Sequence, residues 1–427
     1  MPRRAVNIPY GKGHLTFMPP PGVALELLES RKQSGLDDPR KALRAALAKP
    51  LASRSLSDLA RGKKDATIVI SDITRPVPNK LILSEILPIL AHAGIPRQKI
   101  TILIGTGTHR AAPPREIETL VSPNIARHYR VVNHDCARGN VAIGSIADPI
   151  TRSSIPLLVD KTFVRAGLRL LTGLVEPHIF CGYSGGRKAI LPGICGLRTI
   201  RRWHSPEIVA HPKSVPGVVE GNVAHRLTLE ASNIVPAHFC VNVTLNRERE
   251  VTGVFAGDDE RVFHAAVRKV ESYVLTKAVN PAKVVVTSSA GWPLDLTFYQ
   301  AIKGLVAVLP IIAPGAIVVL AAEVGEGLGD AAFEGLIRRT RNVAEWSRRL
   351  RSGRKFQLGQ WQWQRMGWTR ARARVFLVSK LSAADARAAF TEPFSDLQAA
   401  VDEAVRVTGA DRIVAVPEGP YVVTRTR

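Results

Sequence analysis

Two histidines and a lysine stand where loops would carry them. His109 lies in "GTGTHR", and His178 lies in "VEPHIFCGYSGGRKAILPGI", which also holds Lys188. A neutral imidazole takes up or releases a proton near neutral pH, so two of them near one lysine suit acid–base work. Each alone would more often be a structural histidine. Lys188 is bracketed by Gly185 and Gly186 before it and Pro192 after it. Glycine permits close approach or positive φ, and proline fixes the chain. The lysine is therefore expected to be held against something. His204, in "RRWHSPE", follows sixteen residues later; by itself it would read as a helix-face residue.

Other groups could bind anions. "SDITRP" pairs Asp72 with Arg75 directly after an apolar run. A local salt bridge in a turn is the bland account; the functional one is a guanidinium gripping a carboxylate through two hydrogen bonds. Gly105, Thr106 and Gly107 open like a dinucleotide fingerprint, but Arg110 stands where its third glycine belongs. "GYSGGRKA" is no Walker loop, since Arg187 separates Gly186 from Lys188 and Ala189 replaces the Ser/Thr. Both remain possible phosphate or carboxylate cradles. In "GWPLDLTFYQAIKG", Asp295 is expected to cap a helix, Tyr299 follows, and Gln300 and Lys303 share a face. His134, in "NHDC", reads as a structural histidine oriented by an aspartate.

The elements that position these groups alternate. "ATIVISD", "KITILIGTG" and "HYRVVNHD" read as strands, separated by the helical "NKLILSEILPILAHAG" and "PPREIETLV". Such alternation predicts a mostly parallel sheet covered by helices, with ligands outside the carboxyl ends of its strands. "DERVFHAAVRKVESYVLTKAV" reads as one long connecting helix. A second alternating series follows, from "AKVVVTSS" to "DRIVAVP" and "YVVTRTR". The expected fold is α/β, with two α/β domains of mostly parallel sheets and an active-site cleft between them. The boundaries are 1–275, carrying the lysine and rejoined by 408–427, and 280–407 for the second domain.

Bulk properties exclude several classes. With 45% hydrophobic and 22% charged residues the chain is an ordinary globular one. Four cysteines without a C-x-x-C pair argue against a disulfide framework or a zinc ribbon and fit a cytoplasmic setting. The N-terminus lacks a signal-peptide core. "GLVAVLPIIAPGAIVVLAA" is uncharged and long enough to span a bilayer, but its prolines and Gly315 make it a helix end, a Pro-Gly turn and a buried strand. No membrane association is expected. The net charge of +23 raises nucleic-acid binding as one reading. The basic residues are dispersed and no nucleic-acid motif accompanies them, so surface decoration is preferred, with some attraction of anionic ligands.

Taken together, "SDITRPVP", "GTGTHR", "NHDC", "EPHIFCGYSGGRKAILPGI" followed by His204, "PLDLTFYQAIKG" and "GQWQWQ" recur in an order that resembles the nickel-pincer-nucleotide-dependent lactate racemase family. The resemblance implies an isomerase that racemises or epimerises a 2-hydroxy acid. It implies a pyridinium mononucleotide with two thioacid groups, attached covalently to Lys188 and carrying nickel that His204 also binds. His109 and His178 would be the acid–base pair. Asp72, Gly105, Thr106, Gly107, Gly185 and Gly186 would contact the cofactor. Arg75, Tyr299, Gln300, Lys303 and a pocket-walling tryptophan, Trp361 or the neighbouring Trp363, would line the substrate side. Cofactor-synthesis enzymes would be partners in maturation. Pro88 stands near where the lactate enzyme has a small polar contact, so the expectation is the substrate class and not lactate itself. A nicotinamide-dependent 2-hydroxy acid dehydrogenase is the main alternative, and a basic nucleic-acid-binding protein the second.

Overall fold

The computed structural model describes residues 4–350 and 356–427. The chain forms two compact units. The first comprises residues 32–204 and 210–273; the second comprises 1–31, 205–209 and 274–427. Each is built on a six-stranded sheet.

In the first unit the strand Ala66–Ser71 lies between Ile100–Gly105 on one side and Leu168–Leu174 on the other. Arg130–Asn133 extends the first side. Phe239–Leu245 and then Val251–Gly257 extend the second. All neighbours are parallel except the last pair, which is antiparallel. The central strands are nearly continuous apolar runs because both of their faces are covered. Ile68 pairs with Ile102 and Ile70 with Ile104, all of them buried. They meet Ile82, Leu83, Ile86 and Leu90 of the helix Asn79–His92 in one core. The helix runs through Pro88 without a break.

The chain order has a functional consequence. From Ala66–Ser71 the sheet grows outward through 100–105 and 130–133. It then returns to the opposite side with 168–174 and grows the other way. Connections therefore diverge between Ala66–Ser71 and Leu168–Leu174, and such a divergence opens a crevice beyond the carboxyl ends of the two strands.

The sheet of the second unit is entirely parallel. Its order is Glu392–Phe394, Ala373–Val378, Ile312–Ala321, Ala282–Ser288, Arg412–Val416 and Ala24–Leu27. Residues 1–31 and the tail at 408–427 thus stand in this unit and not with the first, as the expected boundaries had them. The reason is pairing at long range: Leu25 with Ile413, Leu27 with Ala415, and Thr276 with Thr424. The uncharged stretch at 304–322 also differs in detail. The helix Phe298–Val308 ends inside it, as expected, but the strand already starts at Ile312, so Pro314 and Gly315 lie within the strand and not in a turn before it. Pro314 and Gly315 sit inside a register shift, where Ala282 faces Ile312 but Val284 faces Ile317. The missing N–H of proline is tolerated at such a bulge. Among the described residues no helix is long and apolar enough to cross a membrane.

Candidate active site

The loops at the carboxyl ends of the first unit's strands carry the candidate chemistry. Asp72 follows Ala66–Ser71 and is buried. Its Oδ1 accepts hydrogen bonds from the Thr74 N–H (3.2 Å) and hydroxyl (2.6 Å). Its Oδ2 lies 2.6 Å from His109 Nδ1. Burial alone would raise the Asp72 pKa, but His109, the Thr74 hydroxyl and Arg75 together outweigh it and bring the carboxyl down to about 2. Asp72 is therefore ionised at neutral pH and orders the ring. With Nδ1–H directed at Asp72, a neutral His109 carries its lone pair on Nε2.

Arg75 does not pair with Asp72. Its guanidinium reaches across the divergence point to the Glu176 carboxylate, beyond the end of Leu168–Leu174. Glu176 is the group that sequence reasoning passed over, although it immediately precedes the Pro177-His178 pair. Its partner lies 101 residues away, and no local pattern signals such a pair.

His178 is buried, and its Nδ1 accepts from the backbone N–H of Cys181 at 3.0 Å, with that of Phe180 at 3.4 Å. Backbone N–H groups only donate, so the neutral ring has its proton on Nε2. As neutral rings, His109 and His178 hold opposite tautomers. Phe180 and Trp203 bracket this region: Phe180 lies 5.0 Å from His178 and 5.5 Å from His204, and Trp203 stands edge-on to His204 at 4.6 Å.

His204 caps the helix Leu197–Trp203 at its C-terminus. Its Nδ1 lies 3.0 Å from the Ile200 carbonyl oxygen. Burial pushes its pKa down to about 3; the Ile200 carbonyl opposes the fall, and the Lys188 and His109 charges add to it. The ring is neutral, with the proton on Nδ1 and the lone pair on Nε2. That is the form a metal-ligating histidine takes when a backbone carbonyl fixes its other nitrogen.

Lys188 lies in the short 3-10 turn Gly186–Ala189. Burial, reinforced by Arg75, lowers its pKa to about 8, against the opposing pull of Cys181, Asp72 and Glu176. A tenth or so of such an amine is uncharged at neutral pH, enough to act as a nucleophile. Lys188, His109 and His204 influence one another through space, and the aromatic pair links His204 to His178. The structure thus gathers these four side chains in one region of the first unit.

The glycines of these loops chiefly make room for the chain itself. A Cβ on Gly185, at φ +84°, would come 2.6 Å from Val175 Cγ2. One on Gly107, at φ +57°, would face the Pro192 carbonyl oxygen at 3.6 Å, where the Gly107 N–H already bonds to the Gly193 carbonyl at 2.9 Å. A Cβ on Gly105 would meet the Gly193 carbonyl oxygen at 3.4 Å and one on Gly186, at φ +50°, Phe263 at 3.5 Å, both ordinary contacts. The Thr106 hydroxyl is used internally, donating to the His134 carbonyl at 2.8 Å.

The remaining candidates belong to the second unit. Asp295 does not cap the helix Phe298–Val308; Thr297 does, accepting from the Gln300 N–H. Asp295 is buried instead as a bridge, taking the N–H groups of Gly11 (2.7 Å) and Glu323 (2.9 Å) on Oδ2. The Tyr299 hydroxyl accepts from Trp361 Nε1 at 2.8 Å. Burial raises the Tyr299 pKa, so the phenol stays protonated. Trp363 is wholly buried and donates to the Thr340 hydroxyl, so the two tryptophans have different partners. Gln300 is buried, with its Oε1 lacking a hydrogen-bond partner among the described residues, and Lys303 lies one turn on in the same helix.

Among the described residues no three His, Cys, Asp or Glu side chains come together as a metal cage. The donor chemistry of His204 and the low-pKa amine of Lys188 fit a tethered, metal-carrying cofactor of the kind the resemblance implies.

The whole chain has known relatives. Residues 10–217 match the lactate racemase N-terminal domain, and residues 277–424 match the lactate racemase C-terminal domain. A lactate racemase of Thermoanaerobacterium thermosaccharolyticum is 30% identical over 430 residues, covering 99% of both chains. One from Lactiplantibacillus plantarum is 31% identical over 290 residues, 67% of each. The structure of the Thermoanaerobacterium lactate racemase apoprotein superimposes with a TM-score of 0.90 at 29% identity, covering 99% of this chain and all of that one. A Thermotoga maritima protein shares the fold at a TM-score of 0.70 and 16% identity. The chain belongs to the lactate racemase family of isomerases.

Proposed function

We propose that the protein racemises or epimerises a 2-hydroxy acid by hydride transfer to and from a nickel-pincer nucleotide. In this reading Lys188 holds the nucleotide covalently and His204 ligates its nickel. The bound cofactor would supply a hydride acceptor and donor, which the protein itself lacks. A hydride route is the physical alternative to removing a Cα–H beside a carboxylate, a proton too weakly acidic for any side-chain base. The observation that carries the reading is the gathering of Lys188, His204, His109 and His178 at one end of the first sheet.

The chain's own residues then have separable tasks. His109 takes the hydroxyl proton on Nε2, and Asp72 stabilises the imidazolium that forms. His178 presents Nε2–H to the substrate oxygen on the other side. To take that proton from the mirror-image substrate, the ring would first shift its own proton from Nε2 to Nδ1 and give up the hydrogen bond from the Cys181 N–H. Arg75, held by Glu176, binds the carboxylate while the keto acid turns. Gln300, Lys303, Tyr299 and Trp361, all of the second unit, would line the substrate side. Phe180 and Trp203 exclude water from the rings of His178 and His204. Positioning and proton transfer are the protein's share.

The test is co-expression with the cofactor-making enzymes, followed by intact mass, metal analysis and a chiral assay. The expected result is a covalent adduct on Lys188, bound nickel, and interconversion of enantiomers without net oxidation. Adduct and nickel without interconversion of any 2-hydroxy acid would refute the reaction. Net reduction of a nicotinamide cofactor would favour the dehydrogenase alternative.

A further inference from the structure

Glu176 stands at the divergence point of the sheet, where it is only 6% exposed. One carboxylate oxygen receives the Arg75 guanidinium. The other, Oε2, is buried and has no hydrogen-bond partner among the described residues. Buried polar atoms are nearly always satisfied, so an orphan carboxylate oxygen at a strand end calls for a donor that the protein does not provide. Its placement is not slack. The Glu176 N–H donates to the Ser184 hydroxyl (3.1 Å), the Ser184 N–H donates to the Glu176 carbonyl (2.9 Å), and that hydroxyl donates on to the Leu174 carbonyl (2.7 Å). Backbone and side chain are thus pinned at once, with one acceptor left over.

We infer that Glu176 is a ligand-binding residue whose Oε2 accepts a hydrogen bond from a hydroxyl group of the bound species, while its other oxygen holds Arg75 in place. The ligands themselves rest on the function proposed above. Both molecules it brings to this crevice carry hydroxyls: the ribose of the mononucleotide, and the 2-hydroxy acid. A carboxylate set against ribose hydroxyls is a recurrent solution in doubly wound sheets. Arg75 already offsets the Glu176 charge, so a neutral O–H donor suits the remaining oxygen better than a second cation.

Two arms distinguish the sources. In the first, the full-length protein without cofactor is titrated with nicotinate mononucleotide and with its analogue lacking the ribose 2′- and 3′-hydroxyls. In the second, the cofactor-loaded protein is titrated with lactate and with propionate. A hydrogen bond to a charged acceptor predicts a preference of about tenfold or more for the hydroxyl-bearing ligand in one arm. The arm that shows it names the source. Glu176→Gln should abolish that preference, because its amide can face Arg75 with oxygen only by offering N–H where the ligand donates. Glu176→Asp, charged but shorter, should weaken it. Indifference of the wild-type protein in both arms would overturn the inference, and so would a full preference retained by Glu176→Gln. If the glutamine variant fails to fold, the aspartate variant and the wild-type comparison decide the matter. The nucleotide arm reads binding alone, so it can succeed or fail independently of racemase activity.

Discussion

Lys188→Met should make the cofactor-free protein more stable, and the gain should depend on pH in a prescribed way. An ordinary lysine has a pKa of 10.5, and burial lowers that of Lys188 to about 8. The folded state therefore binds the lysine proton less tightly than the unfolded chain does. The penalty is fully present below about pH 8, and it disappears as pH rises from there through the unfolded value. The interval of some 2.5 pH units corresponds to about 3 kcal/mol, an upper bound because the side chain is only half-buried. Methionine keeps the apolar stem and removes the ammonium. For a unit of this size about 3 kcal/mol translates into a rise in Tm of about 10 °C at most. The assay is urea unfolding of wild type and variant at about pH 7 and again at about pH 11. The gain should be largest at the lower pH and vanish at the higher. A variant that is less stable at neutral pH, or whose effect is the same at both, would show that the ammonium is not desolvated. Lys188 would then not be primed as a nucleophile by its burial.

Other outcomes follow from the same geometry. Asp72→Asn should lower kcat by about 10²–10⁴-fold with a smaller change in KM, because His109 loses the carboxylate that orients it. The same change bears on acid stability: Asp72 contributes about 2 kcal/mol above its ordinary pKa, lost as pH falls toward about 2, so the asparagine variant should show a flatter acid limb in unfolding curves. His204→Ala, expressed with the cofactor-making enzymes, should retain the adduct on Lys188 by intact mass yet lose most of its nickel. Thr297→Ala removes the N-cap of the helix carrying Gln300 and Lys303, and should cost about 1 kcal/mol in urea unfolding.

Much of the first sheet is legible in the sequence because its central strands are buried on both faces. Ile68, Ile70, Ile102 and Ile104 therefore stand in unbroken apolar runs. Loops ending such runs had to lie on one edge, which brought Asp72 and His109 into the same neighbourhood. What the sequence hid was long-range pairing. The strand Ala24–Leu27 joins Arg412–Val416, some 386 residues away along the chain, and neither segment advertises its partner. Arg75 looked like a partner for Asp72 because the two are three residues apart; its actual partner, Glu176, comes from another strand. Asp295 was read as a cap because aspartate caps helices, but Thr297 stands at the residue just before the helix and takes that role. Local propensity was satisfied by the nearer residue, leaving Asp295 for the bridge between Gly11 and Glu323.

The contrast between two histidine–aspartate pairs shows why residue type alone does not mark a site. His134 lies 3.0 Å from Asp160 and, through its other nitrogen, 2.9 Å from the Cys195 carbonyl oxygen. Both ring nitrogens are engaged within the protein and the side chain is completely buried, so the ring can tie loops together but cannot exchange a proton with a ligand. His109 has the same kind of partner in Asp72, at 2.6 Å, yet its side chain remains 35% exposed. The aspartate fixes the orientation of that ring while leaving Nε2 to face whatever enters. The same distinction separates the two oxygens of Glu176, one committed to Arg75 and one without a donor. Chemistry at this sheet edge resides in groups that the fold orients through one atom and leaves accessible or unsatisfied at another; for the buried Glu176 Oε2 that state costs stability until a ligand supplies the missing donor.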